Sequence, residues 1–309
     1  MENLQFETLV QSLSPALQNL EQKRLALKQK GRNTGLKIGG AILALGIVIS
    51  LATSLSWIAL LIAVVIAIGV WFNCINTQST ELSSYYKEEV IGQILHTFCQ
   101  EASFTPGQGI RESEFQNCGL FSSPDRYHTE DLMQGCVGKT EFRCAEVHAE
   151  VRRTRVNSKG HTTHYWEDIF KGFIFVADFH KDFQGQTLIR RNSLIKFNFN
   201  GSRVKLEDPA FEKAFDVYST DQVEARYLLS PSMMERLLAL DKKFDSEITL
   251  SFRNSTILIA IPASKNHFEA SIWRPLDTID ALKEDFSAIE MLLSIVEDLN
   301  LNTRIWSKE

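Results

Sequence analysis

From Ile38 to Thr80 the chain carries no charged residue, and the stretch Ile38 to Phe72 within it is almost continuously apolar. A helix crosses a hydrocarbon core of about 30 Å with roughly 20 apolar residues, and with about 17 at the least. The run therefore holds two short spans. One unbroken helix over the uncharged stretch would be about 60 Å long, twice the core thickness. Thr53-Ser54-Leu55-Ser56 is a small polar cluster that can turn the chain, and Trp57 and Trp71-Phe72 are aromatic anchors of the kind that sit at membrane interfaces. The expected element is a transmembrane helical hairpin over 38–73.

Orientation follows from the cations. Lys23, Arg24, Lys28, Lys30, Arg32 and Lys37 precede the first span, the turn has no charge, and Lys87 is the first cation after the second span. Lys and Arg are retained on the cytoplasmic side, so both ends are expected in the cytoplasm. A long polar segment precedes the run and no small-residue cleavage pattern flanks it, which argues against a cleaved signal. Cys74, Cys99, Cys118, Cys136 and Cys144 are odd in number and form no C-x-x-C pair, as reduced thiols would be. The net charge is -5, and the remaining basic residues read as dispersed, which argues against a nucleic-acid partner.

Phe6, Leu9, Leu13, Leu17, Leu20 and Leu27 recur at helical spacing, and Pro15 after Ser14 reads as a restart of that helix. The apolar face would serve a coiled coil or pack on the stripe Leu82, Tyr86, Val90, Ile94 and Phe98; the second is the simpler reading. Thr105-Pro106-Gly107-Gln108-Gly109 ends the helical pattern. The expected organisation is thus an N-terminal cytoplasmic helix (1–37), the hairpin (38–73), a juxtamembrane helix (74–104) and a cytoplasmic α+β domain (105–309).

In that domain Arg143 to Arg153 alternates as a strand with one buried face, and Ile169 to Ala177 is apolar on both faces, as a central strand is. Asn157 to His161 turns one into the other. Asp208-Pro209 and Ser230-Pro231 open short helices, and Asp221 with Glu224 fits a D-x-x-E capping box. Ile248 to Phe252 and Ile257 to Ile261 read as a second hairpin. A helix from Asp277 to Leu299 closes the domain, giving an α+β fold with a mostly antiparallel sheet.

Three stretches carry a resemblance: Phe170-Lys171-Gly172-Phe173-Ile174-Phe175-Val176-Ala177-Asp178-Phe179-His180-Lys181, then Leu206-Glu207-Asp208-Pro209 with Phe211 and the run from Phe215 to Pro231, and the ending from Glu297 to Trp306. Together they resemble the bacterial domain of unknown function 3137 family, a group of uncharacterised two-span membrane proteins. The resemblance implies a bacterial inner-membrane protein, and brings no activity, cofactor or catalytic residue.

For chemistry, His161-x-x-His164 is one close ligand pair for zinc, with Cys136, Cys144, His148 and His180 elsewhere in the sheet, where structural zinc sites usually have two pairs. Glu146 and His148 on one strand and Asp178 and His180 on its neighbour could share a face and form a ligand-binding, metal-binding or hydrolytic site. Asp221, Glu224 and Arg226 form a candidate partner-binding surface. There is no G-x-S-x-G elbow and no phosphate-binding glycine loop. The reading is a non-enzymatic interaction module or scaffold, with the bilayer and a protein as partners and no cofactor.

Overall fold

The computed structural model describes residues 2–52, 56–156, 158, 160–179, 183–191, 201–276 and 279–302. It divides into two compact units, Met1–Ile94 with Phe268–Phe286 and Leu95–His267 with Ser287–Glu309.

The first unit is built on α1 (Glu2–Ala52) and α2 (Ser56–Tyr86), the latter continuing through a π-helical turn (Lys87–Ile91) into α3 (Gly92–Phe98). The turn expected over 53–56 falls largely outside the described residues, which leave out Thr53 to Leu55. α1 is a single helix of 51 residues with Pro15 inside it, so the expected restart does not occur. Leu13 and Leu17, on either side of the exposed Pro15, are both buried, and their packing carries the helix across the hydrogen bond that proline cannot make. Leu9, Leu20 and Leu27 on α1 are buried too, as are Leu82, Tyr86, Val90 and Ile94. The π-helical turn shifts the buried stripe by one residue, so Ile91 and Leu95 are fully buried as well.

The two helices run antiparallel, with Lys23 against Glu89 at 2.7 Å and Lys30 against Glu81 at 3.6 Å. Towards the apolar end their backbones close on each other through glycine. A Cβ on Gly31 would lie 2.9 Å from the Cys74 carbonyl oxygen, one on Gly35 would lie 3.0 Å from Trp71 Cα, and one on Gly46 would overlap Ala63. Small residues at such spacing let helix backbones approach closely.

The segment 268–286 seats on this pair. Ile272 O accepts from the buried Arg24 Nη1 at 2.8 Å, Leu276 N donates to Glu21 at 3.0 Å, and Lys87 pairs with Glu269 at 2.8 Å. Arg24 holds the Glu21 carboxyl below its ordinary range. These bonds satisfy the charges that α1 and α2 bury.

The second unit is a nine-stranded antiparallel sheet. Its strands are β1 (Ser103–Thr105), β2 (Arg126–Val137), β3 (Thr140–Val156), β4 (Thr162–Asp178), β5 (Thr187–Arg191), β6 (Ser202–Val204), β7 (Phe215–Ser219), β8 (Thr249–Arg253) and β9 (Thr256–Pro262), in the order β1-β2-β3-β4-β9-β8-β5-β7-β6. The fold is α+β, as expected. Both expected hairpins form, β3 with β4 and β8 with β9; the second turns on Asn254 and Ser255, both at positive φ, as a two-residue turn matched to strand twist requires.

One face packs Phe115, Leu132, Val147, Ile174, Leu188 and Leu258 into a core. Phe142, Cys144, Phe173, Phe175 and Ile259, of the opposite parity, are buried too. The expectation that β3 buries one face is therefore corrected: with Cys144 and Glu146 also buried, both faces are covered over its middle. All five cysteines are free thiols.

The helices are α4 (Glu112–Asn117), α5 (Pro209–Ala214), α6 (Gln222–Leu228), α7 (Pro231–Phe244) and α8 (Ile279–Asp298). Asp208, Asp221 and Ser230 cap α5, α6 and α7 through their side chains, as the sequence indicates. The start expected at Asp277 lies outside the described residues. α8 ends on Asn300 in the left-handed region, and Asn302 Oδ1 then accepts from Lys139 N at 2.8 Å and Thr140 Oγ1 at 3.0 Å, fastening the β2–β3 turn.

Candidate functional site

The four-residue face expected from Glu146, His148, Asp178 and His180 is not assembled. The β3–β4 register sets His148 opposite Lys171 and Glu146 opposite Phe173, while Ala177 lies opposite Phe142. Asp178 is thus about 23 Å along the hairpin from His148 at 3.3 Å per residue, in an open cleft with Glu101, Glu141 and Arg143. His180 lies outside the described residues.

What Glu146 and His148 meet instead is set by two bulges. In β2 the pairing with β3 is interrupted between Glu130 and Met133, and Asp131 takes a φ of 61°. Its N donates to Pro106 O and Leu132 N to Gln108 O, both at 3.0 Å, so the bulge turns from β3 to the preceding loop. Glu130, Asp131 and Glu146 are thereby drawn within 4.8 Å of one another. Glu146 Oε1 accepts from His267 N at 2.8 Å, and the His267 ring rests 5.1 Å from that of Phe173. Oxygen donors in this number suit a hard divalent cation.

Burial, with Lys265 adding to it, lowers the His267 pKa to about 4. The unfolded chain binds a proton there below about 6.5, so stability is complete above that pH and is lost as pH falls from 6.5 towards 4. The ring is half-buried, and solvent screening reduces the loss to the order of 1 kcal/mol. Urea midpoints at pH 7 and pH 5 should differ less in His267→Phe than in the wild type; an unchanged slope would refute this.

The second bulge, between Ala149 and Glu150, brings His148 Nε2 to 2.8 Å from Asp168, with Glu150 beside them and Arg126 3.9 Å from Glu150. In this trio Asp168 is exposed and His148 and Glu150 are half-buried, and it offers one imidazole and two carboxylates, a donor set compatible with a transition metal. The other proposed zinc ligands are apart from it: His164 bonds Thr154 Oγ1 at 3.0 Å, and His161 is exposed at the hairpin turn.

Past Glu150 on β3, and before Gly172 on β4, no third strand pairs with the hairpin among the described residues. The two strands continue as a ribbon whose residues from Arg152 to Val156 and from Thr162 to Asp168 are all exposed. The basic residues are not dispersed, as the sequence suggests: Arg152, Arg153 and Arg155 stand together on this ribbon. Arg153 Nε bonds Glu167 at 2.7 Å, and Trp166 carries Arg126 over its ring at 3.5 Å.

Asp221, Glu224 and Arg226 are engaged within the fold. Asp221 Oδ1 accepts from Val223 N and Glu224 N, and Arg226 Nη1 donates to Gln222 O at 3.0 Å. The capping box is not reciprocal: Glu224 accepts from Gln184 N and Gly185 N, at 3.0 and 2.8 Å, while Asp221 N donates to Ser219 Oγ. Glu224 thus serves two backbone donors of a loop about 40 residues away in the chain.

No curated protein matches the chain. Among solved structures, the crystal structure of the mycobacterial trehalose monomycolate transport factor A, TtfA, is similar over 68% of this chain and 96% of its own, with 10% identity and a TM-score of 0.35. That level of likeness carries no argument. A family model does match, over residues 168–301, which take in β4 from Asp168 through α8. That part of the chain is similar to the family described as protein of unknown function (DUF3137).

Proposed function

We infer that the chain is a non-enzymatic binding module held at the bacterial inner membrane by the α1–α2 hairpin, with both ends and the sheet domain in the cytoplasm. The observation that carries this reading is the apolar surface of the hairpin. Two helices are long and apolar enough to cross a membrane, and Leu45, Val48, Leu51, Trp57, Leu61 and Val65 are among their large side chains left exposed. An exposed apolar belt of this extent is costly in water and neutral in lipid. The six cations before Ile38 support the orientation.

Fusions test it directly. Green fluorescent protein should fluoresce at either terminus, alkaline phosphatase should be inactive at both, and the chain should stay in the membrane pellet through carbonate extraction. Release by carbonate, or an active phosphatase fusion, would overturn the reading. Within it, Leu61→Arg should raise the cost of insertion by about 3 kcal/mol.

A further inference from the structure

We propose that the exposed β3–β4 ribbon is a second membrane contact, which binds anionic lipid headgroups. The proposal rests on the tethering reading above and names the partner of the domain that the tether holds. In a chain of net charge -5, the sixteen residues from Val151 to Trp166 contain three arginines and Lys159 and no acidic residue. Folding keeps the three arginines at one place: the acids nearest the ribbon are occupied at its base, Glu167 by Arg153, Asp168 by His148, Glu150 by Arg126 and Asp125 by the Arg152 backbone N.

The apolar groups of the ribbon suit the same surface. Val156 is 63% exposed, Tyr165 48% and Trp166 38%. Tyr and Trp are the side chains that settle at the headgroup level, with an apolar body and a polar edge. Arginine binds phosphate with a planar pair of donors rather than as a point charge. Each cation near an anionic surface strengthens association about fivefold. Tethering raises the local concentration of headgroups, so a contact too weak to hold a free domain becomes populated.

Hydrogen–deuterium exchange of the full chain in lipid nanodiscs reads this segment by segment. Nanodiscs of phosphatidylcholine alone should leave peptides covering 151–168 fast. Nanodiscs with one-third phosphatidylglycerol should slow them about tenfold. The triple variant Arg152→Gln, Arg153→Gln, Arg155→Gln should lose that protection while peptides from β8, β9 and α7 exchange as in the wild type, which shows that it still folds. Equal exchange in the two lipid mixtures overturns the proposal, as does equal protection in both, because headgroup charge would then not matter. Protection that appears only after adding cytoplasmic extract points to a protein instead and also overturns it. A failure of the tether itself is distinguishable: the chain would then not incorporate into nanodiscs of either composition.

Discussion

Gly172→Ala is expected to destabilise the sheet domain severely. The residue has a φ of 146°, which side-chain-bearing residues rarely adopt, and a Cβ there would overlap the carbonyl oxygen of Ile261 and lie 2.6 Å from Ala263 N. Both obstacles are backbone of the chain at the end of β9, and Ala263 N is bonded to Lys171 O at 2.9 Å. Nothing can turn aside as a flexible side chain would. Strain in φ accounts for about 1–3 kcal/mol, and displacement of a central strand adds about as much again. The sum, on the order of 4 kcal/mol, is a large fraction of the stability of a domain whose total is about 5–15 kcal/mol. Limited proteolysis should no longer leave a resistant fragment containing β3, β4 and β9. A fragment as resistant as the wild type's would refute the reading.

Gly35→Leu should separate the helical pair, at a cost of about 3 kcal/mol from overpacking against backbone. The neighbour it meets is Trp71, at both its Cα and its ring, so no rotamer change relieves it. Gly40 provides the internal comparison: it has nothing within 4 Å of its Cβ position. Gly40→Leu should therefore change stability by less than about 0.5 kcal/mol. Thermal unfolding in detergent, followed by helical circular dichroism, separates the two. Equal melting of both variants would show that α1 and α2 do not depend on this approach.

These positions also mark where the sequence is legible and where it is not. The apolar run, the proline-started helices and both hairpins are readable because each rests on local chemistry: hydropathy over a span, a cap one residue before Pro209 or Pro231, a turn between two apolar stretches. Gly31 and Gly35 carry a signal as well, a spacing of four that continues to Gly39, but it becomes meaningful only when a second helix is known to face it. The expected grouping of Glu146, His148, Asp178 and His180 fails for a different reason. Alternation tells which face a residue is on, and only register tells which residue stands opposite. With Val156 paired to Thr162 at the turn, Asp178 falls beyond Ala177 and Phe142, far from His148. The turn at Asn157 to His161 therefore held the information that alternation lacked. The bulge at Asp131 and the diversion of Glu224 to the 184–185 backbone had no local signature, since each depends on a segment distant in the chain.

The unbroken course of α1 has a mechanical meaning. A helix of 51 residues is about 77 Å long, and no joint separates its charged portion from its apolar one. Where a linker would let the two portions swivel independently, this rod obliges them to turn together. On the proposed placement in a bilayer, a rotation of the apolar half would reach Glu21 and Arg24, at the seam they form with Leu276 and Ile272, without a joint to absorb it. One half of the rod cannot turn without the other.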